Sequence, residues 1–302
     1  MPSAVVFAYH QVGVRCLAVL LAHGIEVALV VSHEDDPGES IWFESVTSLA
    51  KLNGIEAIAP ANAADPTLAQ RIAAIAPDFI FSFYYRSMLP PALLGLARRG
   101  AYNMHGSLLP KYRGRAPVNW AVLKGERQTG ATLHRMVDKP DAGAVVAQQA
   151  VPILPDDRAH EVMAKVTVAA ELALDAVLPA LISGEVRERP LDLAAGSYFG
   201  GRKPEDGRVD WRQPASDIHN LVRAVAPPYP GAFCTLPSGA SLRLLRTLRQ
   251  PRRVAKHPVP TLYCEGEAVL ADCADGGVLR LLEWEGDWDR KPVQLSFQLA
   301  AA

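Results

Sequence analysis

The sequence has few cysteines and almost no net charge, and both properties limit what the protein can be. Its 302 residues include four cysteines, none in the CxxC spacing of a structural zinc site, so neither a disulfide framework nor a bound metal is expected. This cysteine usage is typical of a reducing compartment. The formal net charge of −1 gives no support for general nucleic-acid affinity. The cysteines are Cys16, Cys234, Cys264 and Cys273.

The sequence also shows neither a signal peptide nor a membrane-spanning segment. The first residues, MPSAVVFAYHQVG, lack the cationic lead and the long apolar core of a signal peptide. No uninterrupted apolar run approaches the roughly 20 residues that cross a bilayer. The sequence therefore predicts a cytoplasmic protein that does not insert into a membrane.

What the first half does contain is an alternation of short apolar runs and helical patterns. Runs such as Ala4–Ala8, Val27–Ser32 and Asp78–Tyr84 are typical of strands buried on both faces. Helices are predicted between them, for example over Gly13–Ala22 and Trp42–Leu52. This alternation predicts an α/β fold with a doubly wound, Rossmann-like and mostly parallel sheet.

The chain changes character at residues 196–210, GSYFGGRKPEDGRVD, which are rich in glycine, proline and charge. We predict a domain boundary there. A helix over Ala215–Val225 follows, and then several short strands separated by turns. The prediction is a catalytic domain over residues 1–203 and a smaller C-terminal domain, an OB-like β-barrel, over residues 204–302.

The turn after the first strand, AYHQVG, lacks the motifs that hold phosphates. It contains neither GxGxxG nor GxxxxGK[ST], which argues against nicotinamide, flavin or ATP chemistry in this domain. Tyr9 and His10 follow the strand at the edge where such sheets bind ligands. They either line a crevice there or form only the loop that leads into the helix.

The segment NMHGSLLPKYRGRAP, residues 103–117, packs poorly into a core and predicts the lining of a site. Asn103 and His105 are two positions apart in a short strand, so their side chains project to one face. An amide donor beside an imidazole suits acyl transfer, because one stabilises an oxyanion and the other moves a proton. Asp138 or Asp141 in DKPDAG would orient the ring and raise the pKa of His105. The alternative is a histidine that caps a helix or lies in a core.

The segment HGSLLPKYRGRAPVNW resembles the signature of the formyltetrahydrofolate-dependent formyltransferases, H-x-SLLP-x-(Y/W)RG-x-AP. GATLHRMVDKPDAGAVVAQ and DGRVDWRQPASDIHNLVRAVAPPYPGAF resemble later segments of that family, in the same order. The resemblance implies 10-formyltetrahydrofolate as co-substrate, without a metal. It implies that Asn103 stabilises the oxyanion, that His105 carries the proton, and that Asp141 rather than Asp138 is the carboxylate.

The resemblance also implies which residues contact the folate. They lie in the loop after the fourth strand, at one arginine of the signature, and in the loop that ends at the implied carboxylate. Arg115 would pair with a glutamate carboxylate of the folate tail, or would be only a solvated loop residue. The implied contacts are Ser87, Met88, Leu89, Arg115, Val137, Asp138, Lys139, Pro140 and Asp141.

The acceptor is expected to be an amine, and two subfamilies differ in which amine. Methionyl-tRNA formyltransferases typically start like FAGTP and have a basic surface for tRNA, whereas this chain reads FAYHQVG and is slightly acidic. VVFAYH, FSFYYR and TLHRMV are more similar to the enzymes that formylate UDP-4-amino-4-deoxy-L-arabinose for lipid A modification and polymyxin resistance. In the familiar version a decarboxylase domain is fused behind the transferase. None follows Ala302, so that step is expected on a separate polypeptide.

The nucleotide of such an acceptor needs a site of its own. Tyr229, in the proline-rich loop Pro227–Phe233, would stack on the uracil base, or would be a tyrosine packed within its loop. Two rival functions use the same residues, namely hydrolysis of formyltetrahydrofolate and non-catalytic binding of folate or a sugar nucleotide. The C-terminal segments favour transfer over hydrolysis, and the intact Asn103, His105 and Asp141 favour catalysis over binding.

Overall fold

A computed structural model describes residues 1–296, and in it the chain forms two compact units. Each unit is assembled from more than one stretch of the chain. That residues 1–203 and 204–302 fold independently stays a prediction. The first unit comprises Met1–Pro117, Gln128–Pro152 and Ala164–Gly200, and the second comprises Val118–Arg127, Ile153–Met163 and, of the described residues that remain, 201–296.

The strands of the first unit are short and mostly apolar. In chain order they are β1 (Ser3–Ala8), β2 (Glu26–Val31), β3 (Ala57–Ile58), β4 (Phe79–Phe83), β5 (Gly100–His105), β6 (Arg113–Gly114), β7 (Gln128–Arg135), β8 (Val145–Pro152) and β9 (Tyr198–Phe199). Seven of them form one sheet in the order β3-β2-β1-β4-β5-β7-β8, and β6 pairs with β9. The pairs from β3 to β5 are parallel, whereas β7 and β8 are added antiparallel. The predicted α/β class with a mostly parallel sheet is confirmed.

The first two helices form where the sequence predicts them, but each begins at a different residue from the predicted one. The first begins at His10, earlier than predicted, because the Tyr9 carbonyl already accepts from the Gly13 N–H at 3.2 Å. The second begins only at Val46, because the Ser45 side chain caps it by accepting from the Ser48 N–H. The helices are α1 (His10–Ala22), α2 (Val46–Leu52), α3 (Pro66–Ile75), α4 (Pro91–Leu94), α5 (Pro117–Leu123), α6 (Ala159–Ser183) and α7 (Ala215–Val225).

The position of β1 determines where a ligand would bind on the first sheet. β1 lies between β2 and β4, so the chain winds outward in two directions from this point. Ligands of doubly wound sheets bind outside the carboxyl ends of the strands at such a switch point. The register pairs Ala8 with Phe83 and Phe83 with Met104, so β1, β4 and β5 end side by side. The residues that follow these strands therefore share one edge.

The second unit is built on a six-stranded antiparallel sheet in the order β10-β11-β14-β13-β12-β15. Its core combines apolar side chains from these strands with α7 and with Trp211, which is 1% exposed. The curled antiparallel sheet confirms the predicted class of the C-terminal part. Its strands are β10 (Ala232–Thr235), β11 (Ser241–Arg249), β12 (Thr261–Glu265), β13 (Ala268–Asp272), β14 (Val278–Glu285) and β15 (Val293–Gln294).

Within residues 1–296, α6 is the one helix whose length and composition would allow it to cross a membrane, with a mean hydropathy of 1.7. Core helices meet the same criterion, and 44% of its most apolar window is buried. The buried side chains recur every three or four residues, as on a helix with one face packed against a core. They include Val162, Val166, Ala169, Ala173 and Leu174.

Candidate active site

Three of the residues singled out from the sequence converge at the carboxyl edge of the first sheet. Asn103 and His105 end β5, and Asp141 lies in the loop between β7 and β8. One carboxylate oxygen, Oδ1 of Asp141, is 3.5 Å from the Asn103 Nδ2 and 3.5 Å from the His105 Nδ1. The amide and the imidazole therefore do project to one face. Asp138, the other candidate carboxylate, is exposed and forms no ion pair with His105.

A second histidine, which the sequence reasoning missed, completes this group. The antiparallel register of β5 and β7 places His134 opposite Asn103. The His134 Nε2 is 3.1 Å from the Asn103 Nδ2, and its Nδ1 is 2.9 Å from the Arg135 carbonyl. A carbonyl can only accept, so Nδ1 donates to it, while Nε2 faces both the Asn103 amide and, at 3.5 Å, the Asp141 Oδ1. His134 therefore lies against both the Asn103 amide and the Asp141 carboxylate.

The protonation of His105 follows from its two neighbours. Its Nε2 is 2.7 Å from the carbonyl oxygen of Tyr112, so Nε2 carries a hydrogen and donates it to that oxygen. The Nδ1, which faces Asp141, is therefore the atom whose protonation changes. When Nδ1 is protonated, the imidazolium has an acceptor at each nitrogen.

Burial decides the pKa of His105. The pKa is lowered because burial disfavours the charged ring, and this outweighs Asp141 and the Tyr112 carbonyl, which both raise it. The expectation of a raised pKa was wrong in its net direction, although the carboxylate acts as expected. Burial alone would raise the pKa of Asp141, but His105, His134 and the Gly114 N–H hold it well below its usual value. Asp141 is therefore ionised at neutral pH.

The backbone of the signature segment is fixed against the short strand β9. Arg113 and Gly114 pair in parallel with Tyr198 and Phe199, and the Gly114 N–H donates to the Asp141 Oδ2 at 2.8 Å. Asp141 itself has a φ of 49°. Left-handed conformations cost a non-glycine residue about 1–3 kcal/mol and concentrate at functional sites. The loops that carry the candidate site are thus held in a conformation that the local sequence alone would not favour.

Gly114 is required by this arrangement, and Gly114→Ala is expected to destabilise the protein by about 2 kcal/mol or more. Its φ is +97°, and an added Cβ would lie 2.1 Å from the Phe199 carbonyl oxygen. Because that oxygen belongs to the backbone, β6 and β9 must separate, and the N–H that holds Asp141 would shift. Urea unfolding followed by circular dichroism measures the loss.

Gly200→Ala is the matched control, because a Cβ at Gly200 would meet no atom within 4 Å. Its stability should stay within about 0.5 kcal/mol of the wild type. If both alanine variants are equally stable, the close approach at Gly114 has no energetic consequence.

The residues expected to contact folate occupy two loops and one arginine. Leu89 is buried in the core cluster against which Met136 packs, so the loops that carry Met88 and Val137 flank one cluster. Met88 is 61% exposed and Val137 is 42% exposed, which leaves two apolar side chains uncovered. Arg115 is exposed, with its Nη2 3.5 Å from the Arg86 carbonyl. Ser87, Asp138 and Lys139 are exposed, and Pro140 is half-buried.

Tyr229 lies in the second unit and is held by its own surroundings. Its side chain is half-buried, and burial raises its pKa. It shares a hydrogen bond with Asn119, whose amide also donates to the Ala224 carbonyl at 2.8 Å. These contacts match the packed alternative, and stacking on a nucleotide base stays a prediction.

Tyr9 and His10 line a cavity of about 90 Å³ at the carboxyl edge of the first sheet. Tyr9 donates its hydroxyl hydrogen to Asp35 at 2.7 Å, and burial together with this bond raises the pKa of Tyr9 to about 12. The His10 ring lies 4.2 Å from the Phe43 ring, and burial lowers the pKa of His10 to about 4. Tyr9 and His10 therefore line a crevice and do not form only the loop that leads into the helix.

No group of three or more His, Cys, Asp or Glu side chains among residues 1–296 is arranged to hold a metal ion. The carboxylate of Asp141 is already engaged within the protein, since one oxygen accepts from the Gly114 N–H and the other faces His105. Their arrangement suits proton movement and oxyanion stabilisation.

Comparison with protein families gives two matches that together span most of the chain. The family model described as formyl transferase matches residues 13–178. The model of the formyl transferase C-terminal domain matches residues 202–292. The first match contains Asn103, His105, His134 and Asp141.

Several solved structures share the fold. The N-formyltransferase from Helicobacter canadensis, in complex with folinic acid and dTDP-3-aminofucose, is 18% identical with a TM-score of 0.74, covering 93% of this chain and 99% of that one. A 4-N formyltransferase from Francisella tularensis is 18% identical with a TM-score of 0.64, covering 79% and 94%. HypX from Aquifex aeolicus, in complex with tetrahydrofolic acid, is 20% identical with a TM-score of 0.63, covering 92% and 43%. Identities this low establish a common fold alone.

Proposed function

Because the chain belongs to the formyl transferase family, we propose that it transfers the formyl group of 10-formyltetrahydrofolate to the amine of a nucleotide-linked amino sugar. The observation that carries the proposal is the group around Asp141. An amide and an imidazole each lie 3.5 Å from one oxygen of its ionised carboxylate. These are the groups that formyl transfer to an amine needs, namely an oxyanion donor and a proton carrier with a counter-ion.

The donor side of the proposal is supported by two loops and by the neighbours of this fold. Structures of this fold have been solved with folinic acid and with tetrahydrofolic acid. In this chain, the exposed Met88 and Val137 offer apolar surface to a pterin, and the adjacent backbone offers amide donors and acceptors. Arg115 is exposed and would pair with a carboxylate of the folate tail.

The deprotonated amine attacks the formyl carbon, and negative charge develops on the formyl oxygen. Asn103 and the protonated His105 donate hydrogen bonds to this oxygen. His105 does so through its Nε2–H, which gives up its hydrogen bond to the Tyr112 carbonyl and donates to the formyl oxygen instead. The new bond joins the sugar nitrogen to the formyl carbon and the bond to the folate nitrogen breaks. The folate nitrogen takes a proton from the imidazolium of His105, and the proton given up by the amine restores that imidazolium. Asp141 stabilises the imidazolium whenever His105 is protonated.

The acceptor proposed is UDP-4-amino-4-deoxy-L-arabinose, and the support comes from two sources. VVFAYH, FSFYYR and TLHRMV resemble the enzymes that act on this sugar. Structures of the same fold include a 4-N formyltransferase and an enzyme solved with an amino-sugar nucleotide. On this proposal the enzyme works in the cytoplasm, its product serves lipid A modification and polymyxin resistance, and a separate decarboxylase supplies the sugar. Methionyl-tRNA is the alternative acceptor, which the net charge of −1 does not favour.

An acceptor panel tests the proposal. The purified protein is incubated with 10-formyltetrahydrofolate and, in turn, with UDP-4-amino-4-deoxy-L-arabinose, a dTDP-linked 3-amino sugar, methionyl-tRNA, or no acceptor. Formylated UDP sugar is the expected product by mass spectrometry. Formylation of methionyl-tRNA alone, or equal release of tetrahydrofolate without any acceptor, would show a different transferase or a hydrolase.

A further inference from the structure

Arg113 is a buried cation for which the described residues provide no anionic partner. It is 8% exposed, and its Nε is fully buried with no hydrogen-bond partner. Its guanidinium carbon lies 5.9 Å from the centroid of the Tyr198 ring. Within residues 1–296, no carboxylate forms an ion pair with Arg113.

This arrangement is costly for a folded protein. A guanidinium keeps its charge under all ordinary conditions, so burial cannot be relieved by loss of a proton. Burying a charge is strongly unfavourable unless it is paired and hydrogen-bonded. Other arginines of the same unit are more exposed and nevertheless paired, since Arg86 and Arg135 each donate to a glutamate at 2.8 Å. Arg113 departs from the pattern that stability alone would favour.

The location of Arg113 connects it to the candidate active site. The next residue, Gly114, donates its N–H to the Asp141 carboxylate. The Arg113 backbone is itself fixed, because its N–H donates to the Ser197 carbonyl at 3.0 Å. The backbone that carries this guanidinium is therefore fixed next to the residue that holds Asp141.

We propose that Arg113 binds an anionic oxygen group of a substrate, which supplies the partner that the folded chain lacks. This inference rests on the proposed function. Both substrates carry such groups, namely the diphosphate of the nucleotide sugar and the glutamate carboxylates of the folate tail. The planar guanidinium fork matches phosphate and carboxylate oxygens in pairs, and charge-assisted bonds of this kind are the stronger ones.

The Arg113→Met variant tests this assignment. Methionine fills similar space without charge, so the variant should melt at or above the wild-type temperature, because an uncompensated buried charge is removed. Its dissociation constant for one substrate should rise about 10- to 100-fold. Calorimetry with UDP, dTDP and folinic acid as probes identifies which one. Weaker nucleotide binding assigns the guanidinium to the diphosphate, and weaker folinic acid binding assigns it to the folate tail.

Two further variants keep the test decisive. Arg187→Gln removes an exposed cation from the same unit and should leave all three affinities unchanged. Arg113→Lys keeps the charge but not the fork, so it should weaken the same probe by a smaller factor; this variant decides the question if Arg113→Met does not fold. Unchanged affinities in the Arg113 variants overturn the inference. A wild type that binds none of the probes instead overturns the proposed function as well.

Discussion

Replacing His105 with alanine is expected to lower the turnover number of formyl transfer by about 10²- to 10⁴-fold, the range measured for loss of a general acid or base. The variant keeps Asn103 and Asp141, so oxyanion stabilisation is reduced but not abolished. On the proposed mechanism, the variant loses the imidazolium at the formyl oxygen and the group that gives a proton to the folate nitrogen. His134, the other imidazole beside Asp141, is 3.5 Å from the carboxylate, but its Nδ1 donates to the Arg135 carbonyl, whereas His105 faces the Tyr112 carbonyl.

The measurement is the turnover number at saturating concentrations of both substrates, with circular dichroism to show that the variant is folded. His23→Ala is the matched control, since His23 belongs to the same unit but pairs with Asp175 away from the site. Its turnover should stay within about twofold of the wild type. A His105→Ala enzyme that works at a similar rate would remove His105 from the mechanism.

Replacing Asp141 with asparagine is expected to lower turnover by about 10²-fold or more and to lower the pKa of His105 further. In the folded protein, burial lowers this pKa, whereas Asp141 and the Tyr112 carbonyl raise it, so removal of the carboxylate charge leaves only the Tyr112 carbonyl to oppose burial. Asparagine can still accept from the Gly114 N–H through its side-chain oxygen. The loop geometry should therefore persist while the imidazolium loses its counter-ion.

The pH dependence has a definite sign. Activity that requires the imidazolium falls as the pH rises through the pKa of His105, so the alkaline limb of the rate profile should move to lower pH in Asp141→Asn. Stability changes at the acid end. Because the pKa of Asp141 is depressed on folding, its stabilising contribution is complete well above the ordinary value of about 3.9 and is lost as the pH falls below it. The asparagine variant should lack this part of the acid sensitivity.

An NMR titration of His105 in both proteins, together with urea unfolding at neutral and acid pH, checks these signs. Asp138→Asn is the matched control, because Asp138 is exposed and forms no ion pair with His105. An unchanged pKa of His105 in Asp141→Asn would mean that the carboxylate serves only to hold the loop at Gly114.

Much of the fold could be predicted from local properties of the sequence. Runs such as Ala4–Ala8 are apolar at every position because a central parallel strand is covered on both faces, and this requirement is visible without a structure. Asn103 and His105 could be placed on one face because alternation along a strand is fixed by backbone geometry. The choice of Asp141 over Asp138 came from the family resemblance, and the 3.5 Å contact agrees with it.

The remaining features depend on which distant segments meet, and only the tertiary structure decided them. His134 reaches Asn103 because β5 pairs with β7, which no pattern within either strand specifies. The pKa of His105 falls below its usual value because burial exceeds the effect of Asp141, and burial is a property of the whole packed unit. Arg113 reads in the sequence as one of the cations of NMHGSLLPKYRGRAP, yet in the part of the chain that the structure describes the pairing of β6 with β9 leaves its Nε buried with no hydrogen-bond partner. Local sequence sets backbone preference and side-chain direction, whereas desolvation and charge pairing depend on residues brought together from across the chain.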